Sequence, residues 1–147
     1  MSDLRGDLRG DLRSDGGSVT AWLLVVPLLL LVMGGLSLDL WAALSVRGRV
    51  AAIADDAAAA GATAVSVADL RDGGTARVDA GEASARALRA VDTHPDAALV
   101  TARTVATGDR LVSVTVDGEV VFTLLRLVGA TTAPVRVTGH AAPVVRD

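Results

Sequence analysis

The residues that could do chemistry in this 147-residue chain are few and scattered. His94 and His140 stand alone, outside any metal-ligand spacing such as His-x-x-x-His, so no metal set is expected and both read as surface or turn histidines. Asp55 and Asp56 are neighbours, and on a helix they project about 100° apart, too divergent for a shared cation or a carboxylate dyad. They read as solvated groups or as contacts between subunits. Ser18, Ser45 and Ser113 lack the strand-turn-helix context of an activated nucleophile, and a chain without Lys cannot build a phosphate-binding Gly-Lys loop. Without Cys there is no thiolate ligand, disulfide or lipid attachment at sulfur. No catalytic residue, cofactor or metal is expected, and the chain reads as non-enzymatic. Asp39, the first charge after a long apolar run, has two readings: a polar partner within an assembly, or a group in interfacial water. Hydration is the expectation, because ionisable groups near helix ends commonly reach water.

The elements that must carry these residues begin with that apolar run. No charge falls within residues 16–38, and residues 21–38, from Ala21 to the apolar side of Asp39, are mainly Leu and Val. As a helix, those 18 residues cover about 27 Å, close to the hydrocarbon thickness of a bilayer. Trp22 and Trp41 suit the headgroup zone at its two ends. Pro27 removes one backbone hydrogen bond and is expected to bend the helix, while Gly34, Gly35 and Leu38 complete the span. A cleavable signal peptide is the alternative, but its apolar region is usually shorter, about 7–15 residues, so a retained transmembrane helix is expected. Arg5, Arg9 and Arg13 precede the run and Arg47 and Arg49 follow it, which with the short N-terminal tail favours an N-inside, C-outside topology.

Composition limits the rest. Net charge is −3, and the basic residues are dispersed Arg, so no basic patch marks a nucleic-acid partner. With one Phe, two Trp and no Tyr, the core must be small and aliphatic. Three domain-level segments are expected. Residues 1–17 contain three near-copies of Asp-Leu-Arg-Gly and read as a disordered cytoplasmic tail or, functionally, a docking tail. Residues 18–64 form the transmembrane helix and its Ala-rich extension, which either packs against sister rods or covers the sheet of the following domain. Residues 65–147 form a small extracytoplasmic α+β domain. Within it, residues 69–74 read as a linker, and Asp79 and Glu82 have the spacing of an N-cap and N3 pair opening a second helix. Ala83, Ala87, Leu88 and Val91 form its apolar face, and His94-Pro95 ends it. Alternating residues 99–105 and 111–116 flank Thr107-Gly108-Asp109 as a hairpin, the second strand able to reach Val121. Thr123 is expected to cap one turn ending at Gly129, before a final strand over 135–144 framed by Pro134 and Pro143.

Three segments in register carry a family resemblance: Gly17-Ser18-Val19-Thr20-Ala21, Leu36-Ser37-Leu38-Asp39-Leu40, and residues 54–62, which hold Asp55, Asp56, Ala57 and Gly61. Together they resemble the N-terminal segment of TadG-like proteins of the tight-adherence (Flp) pilus system, in which a hydrophobic helix ends in an apolar-Asp pair and continues into an Ala-Asp-rich stretch. Residues 124–129 and the strand after them look like the C-terminal part of TadE-like pseudopilins. The resemblance implies a pilin-like fold and a non-enzymatic minor pilin or assembly component of the bacterial cytoplasmic membrane. Its partners would be membrane lipid, sister subunits and the secretion machinery, with Gly17, Asp39, Asp55, Asp56, Ala57 and Gly61 as family and assembly positions. A prepilin-peptidase substrate carries Glu five residues after the cut, where counting from Ser18 gives Trp22, so cleavage after Gly17 is not expected. The alternative function is a single-pass anchored module that binds an envelope ligand or exported protein.

Overall fold

The computed structural model describes residues 15–66 and 77–143. The Asp-Leu-Arg-Gly repeats and the linker at 69–74 lie outside the described residues, and the final strand, expected over 135–144, instead starts at Thr132 and ends at Ala141, with Ala142 and Pro143 outside it. Helix α1 (Asp15–Ala62) is followed by helix α2 (Ala80–Thr93), a 3-10 turn (Ala97–Leu99), strands β1 (Val100–Thr107) and β2 (Val112–Val121), a second 3-10 turn (Leu125–Val128) and strand β3 (Thr132–Ala141). The architecture is α+β: a long apolar N-terminal helix, a second helix and a three-stranded antiparallel sheet ordered β1-β2-β3. The chain divides into two compact units, one ending at Leu38 and the other beginning at Asp39.

In the first unit α1 starts at Asp15, ahead of the expected Ser18, and contains Pro27. Its large side chains from Val19 onward, including Leu24 at 70%, are exposed. α1 is, among the described residues, the helix long and apolar enough to cross a membrane.

In the second unit the remainder of α1 is a core element. Val50, Ile53, Ala54, Ala57, Ala58 and Ala62 are buried, with Ala52, Asp55, Asp56 and Ala59 exposed between them. The Ala-rich extension therefore covers the domain's own sheet, the second of the two arrangements the sequence allows. Spacing of three and four puts the small residues on one face, and small side chains let the helix axis approach closely. Where it lies lowest, the sheet has no side chain at all: a Cβ on Gly139 of β3 would run into the Ala54 carbonyl and stand 2.7 Å from the Asp55 nitrogen. Gly118 of β2 does the same beneath the Val50 methyl, at 2.9 Å. Val112, Val114, Val116 and Val120 alternate inward along β2 and are fully buried; burying such a side chain contributes about 1.5–3 kcal/mol.

α2 begins where its spacing predicts, with the Asp79 carboxylate accepting from the Glu82 N–H at 3.0 Å. The reciprocal half of the capping box is absent: the Asp79 N–H donates to the Ala64 carbonyl at 2.9 Å, and the Glu82 carboxylate accepts from Arg86 instead. Ala83, Ala87 and Val91 are buried, with Leu88 half-buried. The hairpin closes with Gly108 N–H donating to Leu111 at 2.8 Å. β2 runs unbroken to Val121, and the irregularity falls in β1, between Val100 and Ala102. Pro134 does not frame β3 but lies within it, opposite Glu119. As an edge strand, β3 tolerates a residue without an N–H.

Candidate functional site at the Asp39 clamp

The 3-10 turn Leu125–Val128 starts, like any helical turn, with backbone N–H groups that have no partner within the turn. Thr123 was the local candidate to cap it, yet no neighbouring side chain does so. Asp39, 84 residues earlier, supplies the acceptors. Its Oδ1 accepts from the Thr123 N–H at 2.8 Å, and its Oδ2 from Leu124 at 2.9 Å and Leu125 at 2.7 Å. Hydration of Asp39, the expectation from its place beside the apolar run, is therefore wrong: the residue is 2% exposed. A carboxylate that leaves water needs hydrogen bonds to its charged form, and three convergent N–H donors provide them.

The same contacts set the ionisation of the group, which stands just past the apolar run. The Leu125 N–H lowers the Asp39 pKa from its ordinary value; burial pushes the other way, and the Thr123 and Leu124 N–H groups add to the lowering. Asp39 is thus ionised at neutral pH and holds the turn through its charged form. The far end of the turn is closed by Gly129 at φ +94°, a left-handed position in which a Cβ would be strained.

The other candidate residues are dispersed. Asp55 and Asp56 are exposed on α1, and Asp56 approaches the half-buried His94 ring at 3.6 Å. His94 itself caps the end of α2 and accepts from the Asp96 N–H at 3.1 Å. Ala57 and Gly61 are buried inside the domain, where a Cβ on Gly61 would stand 2.9 Å from a Val112 methyl and 3.1 Å from the Ala83 carbonyl. Gly17 falls within α1. The β2–β3 register brings Ser113 and His140 together, Oγ to Nδ1 at 2.9 Å, on the exposed face of the sheet beside a Thr115–Thr138 pair. Sequence spacing did not join them. On that face Asp117 and Arg136 pair across the same register; the Arg136 hydrogen bond holds the Asp117 carboxyl below its ordinary value. Among the described residues no three His, Asp or Glu side chains are grouped to hold a metal ion.

Comparison with protein-family models, with curated proteins and with solved structures found no match.

Proposed function

We propose that the chain is a structural, non-enzymatic component of a tight-adherence-type pilus or pseudopilus, a minor pilin-like subunit akin to TadG-like and TadE-like proteins. In this reading residues 21–38 cross the bacterial cytoplasmic membrane, the N-terminus is inside, and the domain beginning at Asp39 stands outside. The observation that carries the reading is the Leu38-Asp39 junction. On one side a long run of large apolar side chains, broken only by small residues and Pro27, is exposed, which water does not tolerate over such an area. On the other, one buried carboxylate fastens the folded domain to the first turn after the run. The resemblance turns on the same apolar-Asp pair, and three Arg before the run against two after it favour the orientation.

Lipid surrounds the apolar run, and sister subunits meet the outward stripe of α1, where Ala52, Asp55, Asp56 and Ala59 recur at spacings of three and four. Partners in the secretion machinery follow from the pilus assignment. The test is complementation of a strain lacking the gene, scored by sheared surface pili. Ala52→Trp and Asp39→Ala should abolish piliation, and Arg110→Ala at the hairpin should not. Normal piliation in the uncomplemented strain would remove the pilus function, and loss through hairpin substitutions alone would favour an anchored binding module.

A further inference from the structure

The turn held by Asp39 carries two of the most exposed large apolar side chains of the domain, Leu127 at 82% and Val128 at 79%, together with the exposed cation Arg126. Two adjacent apolar groups this open, with a cation beside them, suit an amphipathic surrounding. Chain connectivity says which. Asp39 is the residue after Leu38, about 1.5 Å further along a helix, and Leu127 is two residues past the Leu125 N–H that Asp39 holds, with about 2 Å of rise per residue in a 3-10 turn. The headgroup layer on each side of the hydrocarbon is about 5–8 Å thick. On the anchor reading, a turn held by the residue next to Leu38 starts within a few residues of the outer end of the apolar run. Trp41, exposed two residues beyond Asp39, has the side chain most favoured there.

We infer that the Leu125–Val128 turn is a membrane-interface foot, with Leu127 and Val128 entering the boundary between headgroups and acyl chains and Arg126 meeting lipid phosphate. This rests on the anchor reading of residues 21–38. The foot fixes the domain at the bilayer surface at a second point besides α1, and Asp39 couples the two.

The chain has no Cys, so single cysteines can be introduced without background. Leu127→Cys, Val128→Cys, Leu30→Cys in the apolar run and Arg110→Cys at the opposite end of β2 are labelled with an environment-sensitive fluorophore in the full chain. The labelled proteins are reconstituted into phosphatidylethanolamine–phosphatidylglycerol vesicles containing spin-labelled lipid. The foot predicts blue-shifted emission quenched by headgroup-proximal spin labels at 127 and 128, deep quenching at 30, and neither at 110. Quenching at 30 with water-like emission at both 127 and 128 overturns the foot and leaves the anchor standing. Lack of quenching at 30 overturns the anchor, and the foot with it. A blue shift at 127 and 128 that grows with protein density and is not quenched by lipid overturns the foot in favour of contact with a second copy.

Discussion

Replacing Gly139 by Ala tests the seam that joins α1 to the sheet. The added methyl meets the Ala54 carbonyl and the Asp55 nitrogen, both main-chain atoms of a helix, so no rotamer change relieves the overlap. Overpacking of a core by one methyl costs about 1–3 kcal/mol, and a rigid backbone partner places this case near 3. Against a domain stability of about 5–15 kcal/mol, that is a substantial fraction. The assay is pulse proteolysis of the full-length protein in mild detergent across a urea series, reading the fraction of intact domain. With a urea slope of about 1–3 kcal/mol per molar, the midpoint should fall by about 1–3 M. Gly48→Ala is the matched control, because a Cβ there meets nothing within 4 Å. A mid-helix glycine replaced by Ala gains about 0.5–1 kcal/mol, so its midpoint should rise. A midpoint for Gly139→Ala equal to that of the parent would show that the helix does not lie on the sheet at this point, and the packing argument would be refuted.

Ile53→Ala removes a fully buried side chain of the core and should cost about 2–5 kcal/mol by the same assay, whereas Ala59→Ser on the exposed stripe should change little. Acid should release the Asp39 clamp. Its folded pKa lies below the ordinary 3.8, so its contribution is complete above that value and is lost as pH falls through the lower folded one. Protection factors of the Thr123, Leu124 and Leu125 amides should fall in that acid window while those of β2 amides in the same spectrum stay high; retained protection of the turn would contradict the clamp. Asp39→Asn should accelerate the same three amides at neutral pH, because an amide side chain offers one oxygen to three donors.

Local chemistry made much of the fold legible. Asp79 and Glu82 announce α2 because an N-cap acts over three residues, and Thr107-Gly108-Asp109 announces the hairpin because turn residues act on their own backbone. Gly129 marks the end of its turn for the same reason. Asp39 left no such trace. Its partners are backbone N–H groups 84 to 86 residues away, which have no sequence signature, and an acid beside an apolar run looks hydrated. The one hint was negative: a turn opening on Thr123-Leu124-Leu125 without a side-chain cap of its own must find acceptors elsewhere. Gly139 was readable in principle, since a glycine within a strand often marks a close backbone approach. Pro134 misled because proline ends a central strand but not an edge strand, and strand order is a tertiary fact.

The central claim is that one apolar helix anchors the chain in a membrane with the domain after Asp39 on the outer side. Single Ser2→Cys and Arg110→Cys variants in intact cells, treated with a membrane-impermeant maleimide while chain length is followed on a gel, test it most directly. Labelling at 110 and not at 2, on a full-length chain in the membrane fraction, is the predicted result; a shortened, soluble product labelled at 110, or labelling at 2 alone, would contradict it.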